Sequence, residues 1–335
     1  MYKFGLIGCG RIAHRHAEQI KKTGILTAVC DIDETKANKF AKTYNATAYY
    51  SIDDLLKKEK DLDIISVCTP NGYHAEHAIK SLQAGKNVLC EKPLCITGAA
   101  AWQMLETEKF SRKKLFVVKP TRYNTLLKEL RSLILDKKLG DIYSFQLSCF
   151  WNRPPGYYHD WHGTKFPDGG TLYTQFSHYI DALLWLLGEI ESVKGFTANK
   201  ALKNVIEFED TGVASLKMQS GVLGTLNWSV NSYKKNQGIS LTLLAEKGTI
   251  ILGGEYLNEL VYKNLSFDFN FTLPQSPAND YDFYKGSMSK HDEVYENLLQ
   301  ALTDPAHPFA NTFDGLKTVE AIEKIYKAVN PIIQE

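Results

Sequence analysis

Hydrophobic and polar positions in the first 120 residues change period in a regular alternation. Short unbroken apolar runs, the pattern of strands buried on both faces, give way to stretches in which apolar residues recur every three or four positions, as on an amphipathic helix. Strands are predicted at Tyr2–Ile7, Ile25–Asp31, Asp63–Cys68, Asn87–Cys90 and Leu115–Lys119, with a short run at Thr47–Tyr50. Helices are predicted over Arg11–Lys22, Glu34–Lys42, Gly72–Leu82 and Thr97–Glu108. Ser51, followed by Asp53 and Asp54, has the form of a helix N-cap, and Gly85 that of a helix stop. Such alternation predicts a parallel sheet with helices on both faces.

Beyond Pro120 the grammar changes. Tyr123–Leu135 reads as a helix, Ile142–Phe150 as an alternating strand and Leu172–Leu187 as a strongly apolar helix. Asn152–Gly170 is a loop rich in Gly, Pro, Trp, Tyr and His. Alternating strands follow at Val193–Ala198, Thr211–Gln219, Gly221–Val230, Ser240–Ala245 and Thr249–Leu252, then helices at Ser289–Ala301 and Thr312–Val329. The fold class is therefore α/β, with a parallel-sheet domain over 1–120 and an α+β domain over 121–335 on a large, open, mostly antiparallel sheet. One face of that sheet is expected under helices and the other against a second copy of the chain.

Composition narrows this picture only by exclusion. At 335 residues and 44% apolar the chain can bury two cores. Lys and Arg number 39 against 38 Asp and Glu, so charge gives no case for nucleic acid or an anionic membrane as the main partner. No apolar run approaches the ~18 residues of a membrane span. The chain enters its first strand without an export-signal pattern, and its six cysteines form no C-x-x-C, so a reduced, cytoplasmic compartment is expected.

The chemistry begins at Gly8-Cys9-Gly10-Arg11-Ile12-Ala13. Gly8 suits a tight turn, Gly10 lets the backbone approach a ligand, and the helix start beyond offers unpaired N–H groups to an anion such as a pyrophosphate. Asp31 ends the second strand, 21 residues after Gly10, where a carboxylate accepts ribose hydroxyls and opposes the 2′-phosphate of NADP. NAD is the expected cofactor, with Asp33 a second candidate for the ribose. Thr69-Pro70-Asn71 and Glu91-Lys92-Pro93 end later strands of the same sheet. Lys92 is either buried in the crevice or paired with Glu91 on the surface. His74 and His77 share a helix face without a third ligand, so no metal is expected.

In the second half, Thr174, Gln175, His178 and Asp181 stand at helical spacings that place them on one face, with Asp181 able to orient the His178 ring. A histidine in so apolar a helix is equally read as a satisfied core residue. Oxidising a secondary alcohol with a nicotinamide needs a group for the hydroxyl proton, and Lys92 and His178 can supply a base and a donor in either assignment.

The Gly8–Ala13 start, Glu91-Lys92-Pro93, and Gly169-Gly170 followed by His178-x-x-Asp181 resemble the glucose–fructose oxidoreductase / inositol dehydrogenase / rhizopine catabolism family across essentially the whole chain. The resemblance implies that Lys92 and His178 line the nicotinamide and the reacting carbon. Most members carry Asp four residues before the histidine, where this chain has Thr174. A narrower likeness, carried by Phe116–Asn124, Phe150–Pro154, Tyr157-Tyr158, Trp161–Thr164 and Gln175–Tyr179, is to the bacterial UDP-N-acetyl-2-amino-2-deoxyglucuronate 3-dehydrogenases, which also lack that Asp.

That likeness implies oxidation of C3 of a UDP-linked sugar acid for surface polysaccharide synthesis, with 2-oxoglutarate as a regenerating oxidant in some relatives, and a homotetramer. The alternative is a dehydrogenase of a free sugar, a cyclitol or another nucleotide sugar. The expected cofactor set is Gly8, Gly10, Arg11, Ile12, Asp31, Ile32, Asp33, Thr69, Pro70, Asn71, His74, Glu91, Lys92, Arg122, Trp161 and His162. The expected substrate set is Lys119, Arg122, Asn124, Arg153, Tyr158, Thr174, Gln175 and His178.

Overall fold

The computed structural model describes residues 1–273, 278–280, 285–288, 290–304 and 306–329. Its first sheet follows from the buried runs: β1 (Lys3–Ile7), β2 (Ile25–Cys30), β3 (Thr47–Tyr49), β4 (Ile64–Val67), β5 (Asn87–Cys90) and β6 (Leu115–Val117), all parallel in the order β3-β2-β1-β4-β5-β6. The chain leaves β1 toward β2 and β3, then returns to the other side at β4, so the switch point lies between the carboxyl ends of β1 and β4. Helices α1 (Arg11–Thr23), α2 (Glu34–Tyr44), α3 (Ile52–Lys58), α4 (His74–Gln83) and α5 (Gly98–Ser111) make the connections.

The chain divides into two compact units, Met1–Lys119 with His291–Val319, and Pro120–Lys290 with Glu320–Glu335. Residues 291–319 thus return to the first unit. Packing explains the return. Asn311 bridges Phe116 on the edge strand β6, and a Cβ on Gly315 would lie 2.8 Å from Leu94, so that helix seats against the sheet edge. The ring of Tyr295 packs 5.9 Å from Phe4.

The second unit opens with α6 (Thr125–Leu135), β7 (Ile142–Phe150), a single turn α7 (Lys165–Asp168) and α8 (Ser177–Leu187). Strands β8 (Ile190–Ala198), β9 (Thr211–Met218), β10 (Leu223–Ser229), β11 (Gly238–Ala245), β12 (Gly248–Gly253) and β13 (Glu259–Leu265) complete a sheet ordered β13-β12-β11-β7-β10-β9-β8. Only the β7–β10 pair is parallel. Alternation sends Ala214, Leu216, Leu226, Trp228, Leu241 and Leu243 into the core. On the opposite face Thr225 and Thr242 flank Gln146, Asn227 and Ser240 flank Ser148, and the exposed Leu223 and Leu244 flank Ser144, with Phe196 exposed on β8. Strand β13 escaped the sequence reading because its seven residues are nearly all solvent-facing, leaving no alternation to detect.

Helices α9 (His291–Thr303) and α10 (Thr312–Val329) close the chain; Ser289, the expected start of the first, lies outside the described residues. Among the described residues no helix is long and apolar enough to cross a membrane.

Candidate functional site

In the first unit the glycine turn is dictated by sterics. Gly8 has φ +92°, and a Cβ there would stand 2.7 Å from the Cys68 carbonyl, so only glycine fits between β1 and the end of β4. A Cβ on Gly10 would meet nothing within 4 Å, which leaves open space beside the backbone. Gly10 caps α1 without a side-chain hydrogen bond, and the first turn holds no acidic residue. The uncapped N–H groups suit a pyrophosphate, so the donors present fit a dinucleotide.

Asp31 is fixed by the backbone: the Cys9 N–H donates to Oδ2 at 2.7 Å and the Asp33 N–H to Oδ1 at 2.9 Å. Asp33 also serves the fold. Its Oδ1 accepts the N–H groups of Thr35 and Lys36 as the N-cap of α2, and that of Lys36 leads in holding its carboxyl below the usual range. Ile32 between them is 93% exposed.

At the ends of β4 and β5 the side chains of two residues of the expected cofactor set, His74 and Glu91, have partners inside the fold. His74 is buried with Nδ1 2.7 Å from the Pro93 carbonyl and Nε2 2.7 Å from the Thr69 carbonyl, tying these two loops together. Burial holds its pKa down, against the pull of the two carbonyls, which between them ask for a proton on each ring nitrogen. Glu91 is likewise not a surface residue. Its Oε1 lies 2.9 Å from His16 Nε2 and 3.3 Å from His291 Nε2, and its Oε2 accepts the Lys92 N–H at 2.9 Å. Lys92 is half-buried. Asn71 is buried and Pro70 half-buried in the same loop. Lys119, expected to meet substrate, donates to the Asp314 carbonyl at 3.1 Å and the Thr318 hydroxyl at 2.7 Å on α10.

In the second unit Asn124 is a structural cap. It is fully buried, accepts the Leu126 N–H at 3.0 Å and donates to the Leu257 carbonyl at 2.8 Å, so its amide is spent inside the fold. Asp181, expected to orient His178, receives a bidentate pair from Arg122, with Nε and Nη2 each at 2.8 Å. Arg122 also lies 5.7 Å from the Trp185 ring.

Arg153 is 2% exposed. Its Nε donates to Gln175 Oε1 at 2.7 Å, Gln175 Nε2 donates to the Tyr157 hydroxyl at 2.8 Å, and the guanidinium faces the Trp151 ring at 4.6 Å. Trp161 and His162 stack with ring centres 3.8 Å apart. The Tyr158 hydroxyl is buried with no hydrogen-bond partner among the described residues, and burial raises its pKa.

The helix before His178 is not uniform. Leu172–Phe176 is a π-helical stretch, and α8 begins only at Ser177. The wider turn changes the angular offsets that placed Thr174, Gln175 and His178 on one face. Gln175 goes to Arg153, whereas the Thr174 hydroxyl donates to the carboxylate of Asp168. Asp168, missed in the sequence, is buried and also accepts the Gly163 N–H at 2.9 Å. His178 itself is buried.

Behind the π turn, Tyr326 accepts the Leu172 N–H at 2.9 Å and donates to Glu209 at 2.8 Å, with Trp228 Nε1 donating to the same carboxyl oxygen at 3.1 Å. A Cβ on Gly170, whose φ is +123°, would stand 2.6 Å from that tyrosine oxygen. Glu209 also escaped the sequence reading; only the Asp-Gly-Gly and Glu-Asp clusters in otherwise apolar surroundings hinted at buried carboxylates.

These features define a class: an oxidoreductase with a dinucleotide-binding unit and a second, α+β unit. Residues 2–119 match the oxidoreductase family with an NAD-binding Rossmann fold, and residues 127–251 match the GFO/IDH/MocA C-terminal domain. The chain belongs to the GFO/IDH/MocA family and is NAD-binding. It is 32% identical to glucose-6-phosphate 3-dehydrogenase of Bacillus subtilis strain 168, over 98% of this chain and 96% of that one. Among solved structures, the WlbA dehydrogenase of Chromobacterium violaceum, in complex with NADH and UDP-GlcNAcA, is 33% identical with a TM-score of 0.88, covering 98% of this chain and 93% of that one. The WlbA dehydrogenase of Bordetella pertussis, with the same two ligands, is 31% identical with a TM-score of 0.88, covering 98% and 96%.

Proposed function

We propose that this chain oxidises the C3 hydroxyl of UDP-N-acetyl-2-amino-2-deoxy-D-glucuronate with NAD, in the cytoplasm, for surface polysaccharide synthesis. The observation that carries the reading is near-full-length similarity to two dehydrogenases solved with NADH and UDP-GlcNAcA. Within this chain, the Arg153–Gln175–Tyr157 cluster supports it by concentrating a buried cation and amide in the segment where an acidic, N-acetylated sugar is to be recognised.

NAD, when bound, supplies the hydride acceptor. Lys92 and His178 handle the hydroxyl proton, one as base and the other as donor to the developing oxyanion. Asp31 takes the ribose hydroxyls, and the uncapped start of α1 takes the pyrophosphate. The hydroxyl-lined outer face of the second sheet, with Phe196, Leu223 and Leu244, is where copies of the chain pack into a tetramer.

A second reading is favoured by the equally long match to glucose-6-phosphate 3-dehydrogenase: a smaller anionic sugar, oxidised at the same carbon. NADH formation measured with UDP-N-acetylglucosaminuronate, glucose 6-phosphate and uncharged sugars, each with and without 2-oxoglutarate, separates them. Turnover is expected with the UDP-linked acid. Turnover of glucose 6-phosphate alone replaces the first reading by the second, and turnover of uncharged sugars alone removes both.

A further inference from the structure

The hydrogen bonds around Glu91 all point one way. His16, fully buried, is kept neutral by burial above all, even with Glu91 beside it. Its Nε2 is 2.9 Å from Glu91 Oε1 and its Nδ1 2.8 Å from the Tyr295 hydroxyl, which is in turn 3.0 Å from Ser66 Oγ. A neutral ring that donates from Nε2 must accept at Nδ1, so the protons run from Ser66 through Tyr295 and His16 to Glu91. His291 brings its own Nε2 to 3.3 Å from the same oxygen, and its Nδ1 has no partner among the described residues. The Lys92 N–H supplies the third donor.

Three donors on a buried carboxylate keep it ionised. Burial alone would raise the pKa of Glu91, but the bonds from His16 and His291 carry it well below the usual value. The result is a fixed negative charge ringed by hydrogen-bond donors. The other titratable groups that feel this charge are Tyr295, Cys68 and Cys90, whose pKa values burial pushes up, and His74, which also feels Lys92. The cation next in the chain is Lys92.

We infer that Glu91, clamped between His16 and His291, is the positioning residue for Lys92: it fixes the backbone that carries the lysine and keeps the ammonium charged. The inference rests on the reading that Lys92 takes part in the reaction. His74, bonded to the Pro93 carbonyl, pins the same loop from its other side, so the lysine stem leaves a segment held at both ends. No metal ion is needed to explain the three side chains, because each close contact is already a hydrogen bond with a donor and an acceptor.

The test uses full-length Glu91→Gln, which keeps shape and removes charge, with His291→Gln, which keeps a donor, and His291→Leu, which does not. Lys92→Met serves as reference. The Lys92 ammonium is titrated directly, by NMR of the reductively methylated protein, with the signal assigned by its loss in Lys92→Met. In Glu91→Gln the lysine pKa should fall by about one unit, and kcat for the UDP-linked acid by about tenfold or more. KM and NAD Kd should stay within about twofold, since neither site loses a ligand contact. His291→Leu should follow Glu91→Gln in kcat, and His291→Gln should restore it.

A folded Glu91→Gln with wild-type lysine titration and kcat overturns the inference while leaving the role of Lys92 intact, provided Lys92→Met is inactive. Full activity in Lys92→Met instead defeats the underlying reading, and the inference falls with it. A stoichiometric divalent cation in the purified protein, lost in Glu91→Gln, also overturns it, because Oε1 would then be a metal ligand.

Discussion

Glu91 in the first unit and Glu209 in the second are both fully buried carboxylates, yet their surroundings drive them in opposite directions. Glu91 sits under two imidazole donors and a backbone N–H, and its pKa falls well below the ordinary range. Glu209 takes the Tyr326 phenol and the Trp228 indole on one oxygen, helped by its own backbone N–H and by Thr171, yet burial outweighs them all and lifts it to about 7. Burial costs a carboxylate its charge unless the groups beside it offset the desolvation, as two imidazoles do for Glu91 and neutral hydroxyl and indole donors do not for Glu209. A second contrast lies between Asp31 in the first unit, fixed by backbone N–H groups at a strand end, and Thr174 and Gln175 in the second, held by the side chains of Asp168 and Arg153 at a π turn.

If cofactor binding belongs to the first unit and proton handling in the second depends on His178, the largest effect should come from His178→Asn. Loss of the imidazole is expected to lower kcat by about 10²–10⁴-fold, while NAD Kd, to which His178 is not assigned, stays within about twofold. Stopped-flow NADH formation together with a cofactor titration reads both. Weaker NAD binding with unchanged kcat would break the division.

The buried carboxylates give the next effect, in stability. A group whose pKa is raised in the folded state adds stability that is complete below its unfolded value and lost as pH rises through the folded one. For Glu209 that window runs from about 4.5 to about 7, and the loss is of order 3 kcal/mol. Glu209→Gln should therefore gain on the wild type as pH climbs from 5 to 8 in urea melts. Glu91 has the opposite sign: its contribution is present above the unfolded pKa and disappears as pH falls through the folded one. Parallel pH slopes in Glu209→Gln and wild type would show that Glu209 is already ionised in the fold.

Much of the first unit was legible because its requirements are local. Gly8 must be glycine wherever a strand turns so tightly against its neighbour, and a Rossmann sheet places its ligand groups at strand ends the apolar runs already mark. The sequence could not show that residues 291–319 come back to the first unit, since that return depends on Gly315 and Asn311 meeting β6, nearly 200 positions away. In the second unit the uniform helix over 172–187 was a fair reading of periodicity, but a π turn leaves no mark in composition. Thr174 and Gln175 were therefore assigned to one face although they serve Asp168 and Arg153 separately. Asn124 and His74 look the same in sequence whether they meet a ligand or, as here, a carbonyl inside the fold.

The smallest effect isolates the two acidic residues that close β2, and it tests whether backbone fixing is what makes a ligand group. Both oxygens of Asp31 are oriented by N–H groups, and each retains lone pairs for a ribose hydroxyl. Asp33 spends one oxygen on the first turn of α2 and pairs the other with Lys36 at 3.6 Å. Asp31→Asn removes the charge that accepts the hydroxyls, so NAD Kd should rise by about tenfold, and discrimination against NADP should weaken with it. Asp33→Ala uncaps a helix on the surface, which should lower the melting temperature slightly and leave NAD Kd within about twofold. Isothermal titration of both variants with NAD and NADP decides the matter. Should Asp33→Ala weaken NAD as much as Asp31→Asn, the ribose would lie against the helix cap, and a carboxylate locked by backbone would be a strut in this fold as His74 is.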